Sequence, residues 1–273
     1  MGTQSEKAAA FRSLHDGPGA FILPNPWDVG TARMLAHLGF KALATTSAGH
    51  AFSLGRADNT LGRDLTLAHA REIVEATGLP VSADLGNCFG DDAETVAGTI
   101  RQAAVAGLAG ASVEDGTGRA DDPVYELELA VDRVRAAADA AHALPFPFTL
   151  TARAENFLVG RPDLFDTIQR LQAYQEAGAD VLYAPGLTTR DEIASVVRAL
   201  DRPVNVLIGL KGFALTLADL SALGVRRVST GSALSRAALG AFLRAARELH
   251  DYGTFGFTEG AAASGEIAGM LGN

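Results

Sequence analysis

The chain has 273 residues, is 48% hydrophobic and 20% charged, and carries a formal net charge of −9. This balance is typical of a soluble globular protein, and the negative charge argues against a nucleic-acid partner, because phosphate contacts depend on lysine and arginine. A single cysteine excludes an intramolecular disulfide and a zinc site built from several thiolates. No apolar run approaches the roughly 20 residues of a transmembrane helix, and the N-terminal segment lacks the apolar core of a signal peptide. We therefore expect a cytoplasmic protein without a membrane partner.

Eight short apolar runs alternate with helical segments along the chain. A lead-in helix precedes the first run, and a glycine-, alanine- and serine-rich loop follows the second. The predicted strands cover 20–25, 41–47, 80–84, 110–115, 148–155, 180–186, 203–208 and 226–231. The predicted helices that follow them cover about 27–37, 65–77, 94–106, 124–143, 163–177, 190–200, 216–223 and 233–250.

Strict strand–helix alternation indicates a parallel sheet, and eight units in a chain of this length favour a closed (β/α)₈ TIM barrel of the α/β class. No GxGxxG motif follows the first strand, which argues against a dinucleotide-binding fold. No linker divides the chain. We predict a single barrel domain over 1–273, with an N-terminal helix and an extra C-terminal helical segment.

Polar residues follow the apolar runs where each strand gives way to a loop. Active sites of such barrels lie at the C-terminal ends of the strands, so these residues are the candidates for chemistry. Asp58, in the loop after the second strand, can reach the same mouth. The strand-end candidates are Thr46, Ser47, Asp84, Glu114, Asp115, Arg153, Glu155, Tyr183, Asn205, Ser229 and Thr230.

Asp84 and Glu114 end neighbouring strands, where two carboxylates can share a divalent cation such as Mg²⁺ or Mn²⁺. The alternative is that they cap the next helices or pair with arginine. The planar fork of Arg153 suits a substrate carboxylate, or else an ion pair with one of the nearby glutamates. Asn205 either donates to a substrate oxygen or ties two strands together.

Other reactive residue types are poorly placed for catalysis. His50 alone among six histidines is expected in a strand-end loop near the mouth, where it is either an acid/base group or a solvated polar residue. The other five fall in helices or at their ends, outside the barrel. Cys88 has no neighbouring histidine in sequence and is interpreted as a packed thiol. Trp27 either lines the pocket or packs between helices.

Several segments together resemble the isocitrate lyase/phosphoenolpyruvate mutase superfamily. They are NPWDVGTARMLAHLGFKALATTSAG, PVSADLGNCFGDD, GLAGASVEDGTG, LTARAENFLVGRPD, YQEAGADVLYAPG and GVRRVSTGSALSRAA, and the similarity spans nearly the whole chain. The resemblance implies a TIM barrel, a homotetramer with the last helices (about 250–273) exchanged between subunits, and Mg²⁺. It also implies a small 2-oxo or 2-hydroxy carboxylate as substrate, reacting through an enolate-like intermediate.

The resemblance also assigns roles to individual residues. Asp84 matches the direct metal ligand, and Asp58 and Glu114 match acids that hold metal-bound waters. Arg153 matches the arginine that binds the substrate carboxylate. Thr46 and Ser47 match the segment that also binds it.

The chain departs from the family pattern in two places. Gly86 stands where a second acid is usual, and in the same motif Cys88 stands where glycine is usual. The loop after Asp115, GTGRADDPVY, has neither the cysteine nor the histidine that the lyases use there, so cleavage of isocitrate or methylisocitrate by such a thiol is not expected. The asparagine-bearing loop of the mutases and phosphonopyruvate hydrolases is absent as well.

These observations predict a Mg²⁺-dependent enzyme that makes or breaks a C–C bond, or a P–C bond as in the mutases and hydrolases. A catalytically degenerate metabolite-binding homologue is the first alternative. Hydroxymethyl transfer to a 2-oxo acid is the second.

Overall fold

The computed structural model describes residues 2–272, so Met1 and Asn273 of the predicted domain lie outside it. Eight parallel strands form one sheet in the order β1-β8-β7-β6-β5-β4-β3-β2. The strands are β1 (Phe21–Leu23), β2 (Leu43–Ala44), β3 (Val81–Asp84), β4 (Gly110–Glu114), β5 (Thr149–Arg153), β6 (Val181–Tyr183), β7 (Val204–Leu207) and β8 (Arg227–Ser229). The amide of Ala44 donates to the carbonyl of Pro24 at 3.0 Å, which joins the two ends of the sheet. The predicted (β/α)₈ barrel is confirmed.

Helices follow the strands, and most of them bury apolar residues against the barrel. They are α1 (Gln4–Asp16), α2 (Val29–His37), α3 (Ser47–Ser53), α4 (Arg63–Ala76), α5 (Ala93–Val105), α6 (Leu127–His142), α7 (Leu164–Glu176), α8 (Arg190–Arg198), α9 (Leu217–Ala222), α10 (Ala233–Tyr252) and α11 (Ser264–Leu271), with a 3₁₀ turn over Gly256–Gly260. Side-chain caps fix several starting points: Asp92 accepts from the amide of Thr95 and Asp163 accepts from that of Asp166. The core lies between the sheet and these helices.

The segment after β2 differs from the sequence prediction. The strand is shorter than the predicted 41–47, and the expected loop begins with helix α3. The hydroxyl of Thr46 caps this helix by accepting from the amide of Gly49. Thr46 and Ser47 are therefore placed by a helix N-terminus and not by a strand end.

Helix α10 lies away from the core. Ser235 is its only buried residue within the described chain, and Phe242 and Tyr252 are 66% and 77% exposed. Helix α11 packs instead against α2 of the same chain, where Arg33 Nη1 donates to the carbonyl of Leu271. Within residues 2–272, no helix is both long enough and apolar enough to cross a membrane.

Candidate active site

Three predicted site residues meet at the C-terminal mouth of the barrel. Asp84, Glu114 and Arg153 are the last residues of β3, β4 and β5. Glu114 pairs in register with Arg153, and parallel neighbours end at the same edge. The structure therefore brings Asp84 and Glu114 into direct contact with Arg153.

The guanidinium of Arg153 is surrounded by carboxylates. Its Nη1 lies 3.0 Å from Asp84 Oδ1, and its Nη2 lies 3.2 Å from Glu114 Oε2 and 2.7 Å from Glu155 Oε1. Its Nε also donates to Glu155 Oε1 at 2.8 Å. These four contacts occupy at most four of the five N–H groups of an arginine. Sequence reasoning considered ion pairs to the glutamates as an alternative to substrate binding, and the structure contains those pairs.

Helix α3 holds the other oxygen of Asp84. The amide and hydroxyl of Ser47 donate to Asp84 Oδ2 at 3.0 and 2.9 Å, and the hydroxyl of Thr45 accepts from the amide of Asp84. Because Ser47 is the first residue of α3, the positive end of the helix dipole also faces this carboxylate. The segment predicted to bind a substrate carboxylate thus binds an aspartate in this structure.

Asp58 approaches the same group from the loop after α3. The residue is exposed, yet desolvation raises its pKa, and the negative charge of Asp84 raises it further. The amide of Asn59, which donates to Asp58 Oδ1 at 2.9 Å, opposes this shift. Asp58 is therefore close enough to Asp84 to belong to the same electrostatic cluster.

The cluster has more negative than positive charge. Burial raises the pKa of Glu114 well above its usual value, and the charges of Glu155 and Asp84 add to the shift, while Arg153 opposes it. Burial likewise raises the pKa of Glu155, against the effect of Arg153. Three carboxylates thus share one guanidinium, and the site favours uptake of a proton or a further cation.

Asp115 forms a separate buried pair behind the mouth. Its Oδ2 lies 3.2 Å from Arg170 Nη1 and accepts from the hydroxyl of Tyr174, while its Oδ1 accepts from the amide of Glu155 at 2.8 Å. Asp115 therefore fixes the backbone at Glu155, whose side chain binds Arg153. The sequence analysis noted Asp115 at a strand end but did not give it this role.

A hard divalent cation fits the donor set at the mouth. The surplus of carboxylates supplies the oxygen ligands and negative charge that Mg²⁺ prefers, and each carboxylate oxygen has two lone pairs. Glu114 Oε1 faces the space beside Gly86, where a Cβ would lie 3.8 Å from it. Within residues 2–272, no three His, Cys, Asp or Glu side chains converge tightly enough to enclose a metal. Asp84 and Glu114 would therefore hold the ion together with several waters.

A cavity of about 140 Å³ opens beside these acids. Its walls include Ser47, Asp84 and Glu114 together with Leu61 and Phe89. Gly86 also lines it, with a φ of +54°, in the left-handed region that favours glycine. The position that lacks the family's second acid is therefore open space next to the carboxylates.

A smaller cavity of about 60 Å³ lies inside the barrel, beneath Arg153. Asn205 lines it, accepts from Arg227 Nε at 3.0 Å and donates to the hydroxyl of Ser229 at 2.9 Å, so it ties β7 to β8. Arg227 is buried and also contacts His15 Nε2 at 3.4 Å. Sequence reasoning missed Arg227, although its two-residue spacing from Ser229 indicates a shared face.

The predictions for two histidines need correction. His50 is not in a solvated loop: it is buried on α3, and its ring stacks on that of His69 with centroids 3.6 Å apart. His15, expected outside the barrel, is buried against Arg227 at its lower end.

Trp27 and Cys88 line neither of the two cavities. The carbonyl of Trp27 contacts His69 Nε2 at 3.0 Å, which places it between helices. Cys88 is buried, and burial raises the pKa of its thiol to about 12, so its thiolate is not available as a nucleophile.

The loop after β4 is tied to the loop after β3. Arg119 contacts Asp91 and Asp122 at 3.0 and 3.1 Å, and the hydroxyl of Tyr125 donates to Asp91. The amide of Thr117 donates to the carbonyl of Pro123 at 3.0 Å, which closes the loop on itself. The segment is therefore held over the mouth by contacts within the chain.

Comparisons with known proteins agree with this architecture. The family model described as phosphoenolpyruvate phosphomutase matches residues 11–250. A crystal structure from Burkholderia cenocepacia, provisionally assigned as a lyase or mutase, is 63% identical and has a TM-score of 0.95, covering 97% of this chain and 95% of that one.

Two curated relatives show the same similarity in sequence. An uncharacterized protein of Mycobacterium tuberculosis is 35% identical over 246 residues, which is 89% of each chain. An oxaloacetate decarboxylase of Bradyrhizobium diazoefficiens is 31% identical over 200 residues, covering 71% of this chain and 68% of its own.

Proposed function

The chain belongs to the phosphoenolpyruvate phosphomutase family of lyases and mutases, and we propose that it is a Mg²⁺-dependent enzyme acting on a small 2-oxo or 2-hydroxy carboxylate. The observation that carries the proposal is the group of three carboxylates around Arg153 at the barrel mouth. A buried arginine there supplies the charge for an anionic substrate, and the surplus carboxylates supply the ligands for a hard cation.

We assign different parts of binding to different residues. Asp84 would be the direct ligand of the ion, Glu114 and Asp58 would hold its bound waters, and Mn²⁺ suits the same oxygens. When bound, the ion polarises the 2-oxo group and stabilises negative charge on the substrate. Arg153 binds the carboxylate through its remaining N–H group, helped by the Thr46–Ser47 segment, which also fixes the orientation of Asp84.

The reaction type that fits best is cleavage or formation of a C–C bond between the carbon adjacent to the 2-oxo carbon and its next neighbour, because the electron pair of that bond then delocalises into the 2-oxo group. An oxaloacetate decarboxylase among the relatives breaks such a bond. A P–C bond mutase or hydrolase would use the same charge stabilisation. We also propose a homotetramer, supported by the exposed apolar side chains of α10, and a cytoplasmic location.

A turnover screen tests this function. Purified protein with Mg²⁺ or Mn²⁺ is incubated with 2-oxo acids, 2-hydroxy acids and phosphonates while release of pyruvate, glyoxylate or phosphate is followed. Asp84→Ala should abolish the activity found, whereas Asp121→Ala, an exposed aspartate in the loop after β4, should retain it. Mg²⁺-dependent turnover that persists in Asp84→Ala would refute the assignment.

A metabolite-binding homologue without catalysis is the second candidate. It is favoured by Gly86 in place of an acid and by the absence of cysteine and histidine from the loop after Asp115. A screen without turnover, combined with carboxylate binding that does not need a metal, would support it.

A further inference from the structure

A buried arginine lies inside the barrel without an ion pair. Arg227 is 4% exposed, and within residues 2–272 no aspartate or glutamate pairs with it. Its Nε donates to Asn205 Oδ1 and its Nη2 donates to Thr151 Oγ1, both at 3.0 Å. Its Nη1 lies 3.4 Å from Nε2 of His15, which is neutral at pH 7 because burial lowers its pKa to about 3. The contacts of Arg227 are therefore all with neutral groups.

Arg227 keeps its charge at neutral pH. Burial and the nearby charge of Arg153 lower its pKa to about 10, while Tyr183 opposes the shift. A pKa near 10 still leaves the guanidinium protonated at pH 7. A buried charge without a counter-ion is costly, and the effect of Arg153 shows that a second cation is close enough to repel it. An anion between the two arginines would offset both costs.

The guanidinium of Arg227 lines the cavity of about 60 Å³ beneath Arg153. This cavity also reaches Asp84 and Arg153 at the strand ends and Gly231 beyond β8, so it extends up to the mouth of the barrel. A single water needs roughly 10–15 Å³ of such space, so there is room for about four waters or for one carboxylate-sized group.

The cavity offers hydrogen-bond donors in excess. Arg227 has five N–H groups, and its three contacts leave two of them. Thr151 Oγ1 accepts from Arg227, and Thr45 Oγ1 accepts from the amide of Asp84 at 3.0 Å, so each hydroxyl keeps its own hydrogen as a donor. Asp84 is the only acid among the described residues that line the cavity, and it already pairs with Arg153. Donors and positive charge in a closed space are suited to an anion.

We propose that the interior of the barrel binds a small oxyanion of carboxylate size, with Arg227 as its cation and the hydroxyls of the cavity as further donors. A guanidinium presents parallel N–H groups that match the two oxygens of a carboxylate. The inference goes beyond the proposed function, because the site lies below the mouth and needs no metal. The same chemistry has two sources: the second acidic group of a substrate whose first carboxylate lies on Arg153, or a free anion.

Thermal unfolding in EDTA with sodium formate tests the site without a metal. The reference is sodium chloride at the same ionic strength. At ten times its dissociation constant, formate should raise the melting temperature of the wild type about 3–6 °C above this reference. Arg227→Gln should abolish the difference. The control Arg226→Gln removes the preceding arginine, which donates to the carbonyl of Gly17 and does not line the cavity, and it should retain the difference.

A second variant keeps the test decisive if Arg227→Gln does not fold. Thr151→Val preserves the shape of the side chain and removes one hydroxyl from the cavity, so it should weaken formate binding at least ~3-fold. No formate-specific rise in the wild type, or a rise that Arg227→Gln leaves unchanged, would overturn the proposal and leave Arg227 only the role of tying strands together. If Arg227→Gln is unfolded, unchanged formate affinity in Thr151→Val would overturn it.

Calorimetry with Mg²⁺ present identifies the source of the anion. Malate has a second carboxylate that oxalate lacks beyond its first two carbons. If the substrate's second acid binds in the cavity, Arg227→Gln should weaken malate binding at least ~10-fold and leave oxalate binding unchanged. Unchanged malate affinity, or no malate binding in the wild type, assigns the site to a free anion; both results support the site. Failure of oxalate to bind would overturn the proposed function and would not affect the formate result.

Discussion

Arg153 is predicted to stabilise the folded protein because it is the cation shared by three buried carboxylates. At charge separations near 4 Å and an effective dielectric constant of about 20, each pair is worth about 4 kcal/mol before the cost of desolvation. Desolvation offsets much of this sum, and breaking a buried pair by removing one partner costs about 3–5 kcal/mol. We expect Arg153→Met to lose about that much free energy of unfolding, which corresponds to a melting temperature roughly 6–20 °C lower.

The pH dependence of this variant gives a sharper test. Without Arg153, the native pKa values of Glu114 and Glu155 rise further above those of the unfolded chain, so the native state binds more protons than the unfolded state. Stability then falls as pH rises above about 4.5, and the loss relative to wild type should be smaller at pH 5 than at pH 8. The measurement is urea denaturation in EDTA at both pH values.

Two comparisons complete this test. The double variant Arg153→Met/Glu155→Gln should recover at least about 1 kcal/mol of the loss, since one uncompensated charge is gone. The control Arg101→Met removes an exposed arginine that pairs with Glu94 and should cost under about 1 kcal/mol. A loss below 1 kcal/mol in Arg153→Met, or an equal loss at both pH values, would refute the reasoning.

Two further predictions concern the lower end of the barrel and helix α10. Burial lowers the pKa of His15 to about 3, so the unfolded state alone binds this proton between about pH 6.5 and 3, and stability falls as pH falls through that window. In urea denaturation, His15→Gln should make the free energy of unfolding depend less steeply on pH, by up to ~1.4 kcal/mol per pH unit. The control His37→Gln, at an exposed position, should leave the slope of the wild type unchanged. Equal slopes in His15→Gln and wild type would contradict the prediction. Phe242→Glu, on the exposed face of α10, should convert a tetramer to smaller species in equilibrium sedimentation, whereas Phe165→Glu on α7 should not. A wild-type chain that sediments only as a monomer would contradict the tetramer.

The alternation of strands and helices was enough to predict the barrel, because glycine and capping residues mark the element ends. Gly178 is an example: it follows α7 with a φ of +106°, and a Cβ there would lie 2.9 Å from that of Ala138. Helix α3 was missed because its seven residues include a glycine and two serines, a composition equally typical of a loop. Because this helix forms, the amide and hydroxyl of Ser47 can donate hydrogen bonds to Asp84.

The contacts at the mouth could be predicted only in part. Strand ends identified Asp84, Glu114 and Arg153 as neighbours, since parallel strands finish at one edge. The sharing of Arg153 among three acids depends on side-chain conformations, which sequence spacing does not specify. Arg227 was missed for a related reason: whether it or Arg226 points into the barrel depends on strand register.

The most direct test of the account is oxalate binding by calorimetry, with and without Mg²⁺, in wild type and in Asp84→Asn. Oxalate resembles an enolate of a 2-oxo acid, so it should bind where the ion and Arg153 meet. We predict heat of binding only when Mg²⁺ or Mn²⁺ is present, and its loss in Asp84→Asn. Equal binding in EDTA, or binding that Asp84→Asn leaves unchanged, would contradict a metal-dependent carboxylate site at the barrel mouth.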